Sequence, residues 1–177
     1  VVTLRDVGYG LKLELIYTMF TECDVLAKSA RLYNESIRTV TVKRLLSAQL
    51  DLYDCNYVVS NFTGSWAREM KKTSFEMPMG KWVNSSVTGN SSAHANPFLM
   101  LGRKHTSEDA GECIGLNLIY SGNHYEAFEV SAYGKLRVVQ GINPDTFSWT
   151  LAPGQMFETP EAVMTYSNEG YNGMSHQ

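Results

Sequence analysis

The side chains whose types and spacing best suit ligand chemistry lie between residues 51 and 69. Asp54 directly follows an alternating strand pattern, and Trp66 and Arg68 stand two residues apart in a short polar segment. Aromatic faces stack on the C–H surfaces of sugars, while Asp and Arg hold sugar hydroxyls through hydrogen bonds. These residue types therefore favour a carbohydrate ligand. The alternative is that Trp66 is a core anchor and that Arg68 pairs with Glu69 or Asp54 at the surface.

A histidine and a glutamate form a second candidate group. His124 and Glu126 are two residues apart, so a strand would point both side chains to one face. Such a pair could transfer protons on a sugar ring, as in a mutarotase. The spacing is common by chance in β-proteins, so a mutarotase-like epimerase is a third-ranked alternative.

The remaining reactive residues do not form a recognisable catalytic centre. Cys23, Cys55 and Cys113 are widely spaced without a Cys-x-x-Cys pair, which argues against a structural zinc site. No cysteine lies in an activating context, and no two carboxylates stand out as a glycosidase pair. We therefore assign no catalytic residue, no metal ligand and no cofactor.

Composition limits the class of protein. The chain has 177 residues, a size typical of one domain with its own core, and a hydrophobic fraction of 44% that excludes general disorder. Its net charge of −3 gives no support for nucleic-acid binding, and no apolar run is long enough to span a membrane. Three free thiols indicate a reducing compartment, which predicts a cytoplasmic protein. The chain begins with Val1 rather than Met, as a processed protein or an excised fragment would.

The elements that must position these residues are predicted to be strands. Alternation of apolar and polar residues with a period of two predicts strands over Leu11–Tyr17, Val42–Leu52, Ile114–Tyr120 and Val163–Tyr166. Turn residues predict two hairpins, over Glu126–Val139 and Phe147–Phe157. The stretch Asn84–Asn96 is rich in Ser, Asn and Gly and is predicted to be an exposed loop. Strands that recur at this spacing indicate an all-β sandwich or barrel.

Four Asn-x-Ser/Thr tripeptides would allow glycosylation in a secreted protein, at Asn34, Asn61, Asn84 and Asn90. Such tripeptides are common by chance in a chain rich in Asn and Ser, so they carry little weight here.

An ordered series of motifs resembles one family along essentially the whole chain. The motifs are Leu46-Ser47-Ala48-Gln49-Leu50-Asp51-Leu52, Gly64-Ser65-Trp66-Ala67-Arg68-Glu69, Asn96-Pro97-Phe98, Glu108-Asp109-Ala110-Gly111-Glu112, Leu116-Asn117-Leu118-Ile119-Tyr120-Ser121-Gly122-Asn123, Gly141-Ile142-Asn143-Pro144, Phe147-Ser148-Trp149, Leu151-Ala152-Pro153-Gly154, Phe157-Glu158-Thr159-Pro160-Glu161-Ala162, Tyr166-Ser167 and Gly173-Met174-Ser175. This series is similar to the N-terminal β-supersandwich of bacterial-type α-galactosidases of glycoside hydrolase family 36. The resemblance implies an all-β, antiparallel, galactose mutarotase-like β-supersandwich, of which residues 1–177 form a single segment, with further strands ahead of Val1.

The resemblance also implies where the chemistry lies. The family hydrolyses terminal α-galactosyl residues of melibiose- and raffinose-type oligosaccharides by a retaining mechanism, with two Asp residues on a (β/α)8 barrel. That barrel would follow Gln177, so this segment alone is expected to be inactive.

Family members commonly form homo-oligomers, often tetramers, in which the sandwich of one subunit reaches the active-site mouth of another. The resemblance then implies that Asp54 accepts hydrogen bonds from sugar hydroxyls, that Arg68 donates to them or orients Asp54, and that Trp66 forms an apolar wall. A stand-alone carbohydrate-binding or structural β-domain is the alternative.

Two departures from the family's usual motifs affect these expectations. The usual Leu-Pro-Asp is replaced by Leu52-Tyr53-Asp54, so proline does not fix the turn that presents Asp54. The loop Thr88–Ala93 lacks the Arg and His that relatives often have there, so we assign it no binding role.

Overall fold

A computed structural model describes residues 1–177 and contains fifteen strands and very little helix. The strands are β1 (Val2–Asp6), β2 (Leu11–Phe20), β3 (Val25–Asn34), β4 (Val40–Val42), β5 (Leu46–Leu52), β6 (Tyr57–Thr63), β7 (Lys71–Glu76), β8 (Gly80–Ser85), β9 (Phe98–Arg103), β10 (Cys113–Leu118), β11 (His124–Val130), β12 (Leu136–Ile142), β13 (Trp149–Leu151), β14 (Met156–Glu158) and β15 (Ala162–Ser167). A 3₁₀ turn at Pro144–Thr146 and one helix, α1 (Gly170–Ser175), complete the chain. No helix is long and apolar enough to cross a membrane. The predicted all-β class is confirmed.

The strands form three antiparallel sheets. The largest has nine strands, in the order β1-β2-β3-β15-β10-β9-β6-β7, with β14 also paired to β3. A second sheet has the order β5-β12-β11-β8, and β13 pairs with β4 in a two-stranded sheet. Every strand pair is antiparallel, as the sandwich prediction requires.

The hydrophobic core lies between the two larger sheets. Val59 and Leu101 come from the nine-stranded sheet, Phe128 and Leu136 come from the four-stranded sheet, and all four are in the same buried cluster. Alternating residues of β11 and β12 point into this space because successive side chains of a strand face opposite sides. The predicted hairpin over Glu126–Val139 is confirmed, with β11 and β12 paired along their whole length.

The predicted single strand over Val42–Leu52 is wrong. The structure divides it into β4 and β5, which belong to different sheets. Val42 pairs with Trp149, whereas Leu46 pairs with Gly141, so the chain must change sheets between them. Arg44, which interrupts the apolar alternation, lies in that break.

The predicted hairpin over Phe147–Phe157 is also wrong, although the turn within it is present. Gly154 adopts a left-handed φ of 78°, and the Gln155 N–H donates to the Ala152 carbonyl at 3.1 Å. The two flanking strands then diverge, because β13 pairs with β4 and β14 pairs with β3.

The stretch Asn84–Asn96 is only partly an exposed loop. It begins inside β8, and Asn84 and Ser86 are both buried. Of the four glycosylation tripeptides, Asn34, Asn61 and Asn84 are buried and only Asn90 is exposed. Most of these tripeptides are therefore inaccessible in the folded chain.

Candidate functional site

A tight turn between β6 and β7 presents the tryptophan that the sequence singled out. Trp66 is 92% exposed, so the alternative that it anchors the core is wrong. The turn is closed by two backbone hydrogen bonds: the Arg68 N–H donates to the Ser65 carbonyl at 2.9 Å, and the Ser65 N–H donates to the Arg68 carbonyl at 3.3 Å. The Ala67 N–H also donates to Oε1 of Glu69 at 3.1 Å. These bonds hold an almost fully exposed indole on an ordered backbone.

The backbone of this turn is strained. Ala67 and Met70 have left-handed φ values of 58° and 57°, and the only other non-glycine residue of the chain with positive φ is Asp24. A left-handed conformation costs a residue with a Cβ about 1–2 kcal/mol. Strain of this kind is concentrated at functional sites, where surrounding contacts maintain it.

Neighbouring backbone supports the turn closely. A Cβ on Gly64 would lie 2.8 Å from the Arg68 carbonyl oxygen and 3.2 Å from the Ala93 carbonyl oxygen, so only glycine fits there. The Asn96 N–H donates to the Phe62 carbonyl at 3.1 Å, and Nδ2 of Asn96 lies 3.5 Å from Sδ of Met70. We call residues 64–70 the Trp66 turn. The segment 93–96 packs against this turn and supports it.

Arg68 is exposed and free to bind a ligand. None of the ion pairs in the structure includes it, so the predicted pairing with Glu69 or Asp54 does not occur. Because it lies on the same turn as Trp66, it can donate hydrogen bonds to a molecule stacked on the indole.

Asp54 lies at the opposite end of β6 and has different partners. Its Oδ1 accepts from the Asn56 N–H at 2.9 Å and from Nη1 of Arg103 at 2.7 Å. The Asn56 N–H and the Arg103 guanidinium together hold the pKa of Asp54 below its usual range. Arg103 also contacts Glu112 at 3.0 Å and lies over the Tyr57 ring at 4.1 Å.

The length of β6 separates the two parts of the predicted site. Asp54 precedes Tyr57 and Trp66 follows Thr63, and six steps along a strand span roughly 20 Å. Within one chain, Arg103 rather than Arg68 orients Asp54. Sequence reasoning missed Arg103, since only the pairing of Tyr57 with Arg103 between β6 and β9 brings it beside Asp54.

His124 and Glu126 lie on one face of β11, as their spacing predicts, and they are in contact. Nδ1 of His124 is 2.9 Å from Oε2 of Glu126, and Nε2 of His124 is 2.8 Å from the Ala95 carbonyl oxygen. Both side chains are 0% exposed. A mutarotase-like role is therefore contradicted, because a sugar cannot reach either group.

The protonation of this pair follows from its burial. Burial lowers the pKa of His124, but the hydrogen bond and charge of Glu126 outweigh that effect and raise it above its usual value. Burial also raises the pKa of Glu126. Both shifts keep protons on the pair to a higher pH than in the unfolded chain.

The other reactive residues form no further site. No group of three or more His, Cys, Asp or Glu side chains could hold a metal ion. All three cysteines are free, and burial raises the pKa of the Cys113 thiol, which makes it a poor nucleophile. The Trp66 turn and the Asp54–Arg103 pair remain as the two candidate binding surfaces.

Comparison with known proteins shows which sequences resemble this chain. Residues 1–152 match the glycosyl hydrolase family 36 N-terminal domain. The chain is similar to alpha-galactosidase AgaA of Geobacillus stearothermophilus, with 38% identity over 174 residues that cover 98% of this chain and 24% of the relative. It is 36% identical to alpha-galactosidase Mel36A of Lactobacillus acidophilus, covering 99% of this chain and 24% of that protein. The chain thus spans about a quarter of the length of these curated relatives.

Solved structures share the fold closely. The crystal structure of the alpha-galactosidase from Lactobacillus brevis superposes with a TM-score of 0.96 at 43% identity, covering 98% of this chain and 23% of that one. The crystal structure of the family 36 alpha-galactosidase AgaA from Geobacillus stearothermophilus also gives a TM-score of 0.96, at 38% identity, with 98% of this chain and 24% of that chain covered. The predicted fold and family resemblance are confirmed.

Proposed function

This chain belongs to the glycosyl hydrolase family 36 N-terminal domain family, and from that premise we propose that it is the non-catalytic N-terminal domain of a retaining α-galactosidase. The main support is that nearly the whole chain aligns with α-galactosidases while covering only 24% of their length. In this proposal the two carboxylates that cleave the glycosidic bond lie on a barrel outside residues 1–177. The domain contributes binding surface instead.

The Trp66 turn is the part of the domain that we assign to the galactoside pocket. The single observation behind this assignment is that Trp66 is 92% exposed on a strained and hydrogen-bonded turn. An exposed indole gives a sugar a flat apolar face, and only its two side-chain torsions must be fixed on binding. Arg68 on the same turn donates hydrogen bonds to sugar hydroxyls or ring oxygens.

Asp54 is the second contact that we propose, with a role limited by its partners. Arg103 and the Asn56 N–H occupy Oδ1, and Oδ2 remains available to accept from a sugar hydroxyl. Since β6 separates Asp54 from Trp66 by roughly 20 Å, one subunit cannot offer both to the same galactosyl group. For Asp54 and Trp66 to contact the same sugar, each must come from a different copy of the protein. For this reason we propose a homo-oligomer.

The substrate class and compartment follow from the same premise. We assign terminal α-galactosyl residues of melibiose- and raffinose-type oligosaccharides, and AgaA relatives 38% identical to this chain have structures in complex with raffinose and with stachyose. The three unpaired cysteines support a reducing compartment such as the cytoplasm.

Steady-state kinetics of the α-galactosidase containing this domain test the proposal. We expect Trp66→Ala to raise KM for raffinose about 2- to 12-fold, in line with a lost aromatic contact of about 0.5–1.5 kcal/mol. Tyr133→Ala is the matched control, because Tyr133 is equally exposed at 90% but lies on the β11–β12 turn. Identical kinetics for Trp66→Ala and the control would remove the binding role, and absence of α-galactosidase activity in the complete protein would remove the function.

A further inference from the structure

Three side chains of the four-stranded sheet hold three successive carbonyls of the segment Ala95–Pro97. Nε2 of His124 contacts the Ala95 oxygen at 2.8 Å, and Nδ2 of Asn84 donates to the Asn96 oxygen at 2.8 Å. Nε2 of Gln140 lies 3.4 Å from the Pro97 oxygen. These three side chains come from β11, β8 and β12, which are adjacent strands. We call this arrangement, with Glu126, the buried clamp.

Glu126 links two of the clamp side chains to each other. Its Oε2 accepts from Nδ2 of Asn84 at 2.9 Å and lies 2.9 Å from Nδ1 of His124. Because Nε2 of His124 faces a carbonyl, it must bear a proton, and one further proton must lie between Nδ1 and the carboxylate. The groups facing the pair are otherwise neutral: the Asn84 and Gln140 amides and the Ala95 carbonyl. The carboxylate therefore allows His124 to donate from both nitrogens without leaving a buried charge unpaired.

The clamp is connected to the Trp66 turn by direct contacts. Asn96, whose carbonyl Asn84 holds, donates its own N–H to the Phe62 carbonyl at the end of β6. Its side-chain Nδ2 reaches Sδ of Met70 at 3.5 Å, at the far end of the turn. Ala93, two residues before the clamped segment, lies against Gly64. The backbone that the clamp fixes is thus the backbone that supports both ends of the turn.

We propose that His124 and Glu126 are positioning residues for Trp66: they fix Ala95–Pro97 from inside the sandwich and so hold the strained turn in the conformation that presents the indole. This inference rests on the proposed function of Trp66 as a wall of the galactoside pocket. It gives the buried pair a role at a distance from the sugar.

Glu126→Gln is the sharpest perturbation because it preserves size and removes only the carboxylate. Neutral His124 then has one proton for two acceptors, so either the bond to Ala95 or the bond to the substituted amide is lost. If the amide turns to donate to His124 instead, its NH2 group opposes Nδ2 of Asn84. Oε1 of Glu126 already lacks a partner in the native chain, and every arrangement of the variant leaves one more buried polar group unpaired, which loosens the clamp.

Amide hydrogen exchange of the full-length protein tests the coupling without using activity. We expect Glu126→Gln to speed exchange about tenfold at Asn96 and Arg68, with amides of β1 and β2 unchanged. Phe128→Leu is the control, since Phe128 is fully buried on the same strand but takes no part in the clamp. Unchanged exchange at Asn96 and Arg68, or equal acceleration by Phe128→Leu, would overturn the proposal.

A double-mutant cycle tests whether the clamp affects galactoside binding through Trp66. Glu126→Gln should raise KM with little change in kcat, and adding it to Trp66→Ala should raise KM no further, because both act through one indole. Additive effects would overturn the positioning role. If Trp66→Ala alone leaves KM unchanged, the proposed pocket role fails, and hydrogen exchange still decides whether the clamp holds the turn.

Discussion

Adding a single methyl group at Gly64 should displace the Trp66 turn. The new Cβ would lie 2.8 Å from both the Arg68 oxygen and the Glu69 Cα, and 3.2 Å from the Ala93 oxygen. All three are backbone atoms, so no flexible side chain can move aside, and the turn itself must shift by about half an ångström. Overpacking of this kind costs about 1–3 kcal/mol.

The expected result of Gly64→Ala has a thermal and a kinetic part. For a chain of this size, 1 kcal/mol corresponds to about 2–4 °C in Tm, so we expect Tm to fall by about 2–12 °C, as measured by thermal unfolding. We also expect KM for a galactoside to rise roughly tenfold with kcat nearly unchanged, because the indole is moved rather than removed. Gly8→Ala is the matched control, since its Cβ would meet only Oδ1 of Asp6 at 3.4 Å. If Gly64→Ala has the Tm and KM of this control, then the close backbone approach does not position the turn.

Two further predictions concern buried titratable groups. Because the pKa values of both His124 and Glu126 are raised on folding, the folded chain binds protons more tightly than the unfolded chain. The contribution of Glu126 to stability should therefore decline as the pH rises above 4.5, and that of His124 as the pH rises above 6.5, the two unperturbed values. Denaturant unfolding of Glu126→Gln should show a flatter pH profile, and stability that rises over this range would contradict the assigned protonation. Brief alkylation of the native protein with iodoacetamide at pH 8 should modify the partly exposed Cys23 and Cys55 and spare the buried Cys113, as peptide mass mapping would show, and rapid labelling of Cys113 would mean that its burial is incomplete.

The sequence predicted those strands whose two faces have different environments. Leu116 and Leu118 of β10 are buried on either side of the partly exposed Asn117, so the period of two is visible there. In β6 the consecutive residues Val59, Ser60 and Asn61 are all buried, so alternation gives no signal. The predictions for β4, β5, β13 and β14 failed for another reason. Their partners are distant in sequence, and local turn chemistry does not encode which sheet a strand joins.

The sequence predicted which residues belong to the candidate site better than it predicted how they are arranged in space. Trp66 and Arg68 share one turn, so a local motif was sufficient to find them together. Arg103 is 49 residues from Asp54 and reaches it only through strand pairing, so no spacing rule could identify it. The spacing of His124 and Glu126 correctly placed both on one face, but it could not indicate that this face is the sandwich interior. Buried polar residues resemble solvent-facing ones in a sequence.

The nine-stranded sheet is open, and its two edge strands, β1 and β7, expose different kinds of side chain. The edge strand β7 begins with Lys71 and Lys72, which are both exposed. Lysines on an edge strand oppose the addition of another strand. The opposite margin, β1, instead exposes Val2 and Leu4, at 49% and 50%. Exposed apolar edge strands are the ones to which further strands add, so β1 rather than β7 is the edge of this sheet suited to pairing with another strand.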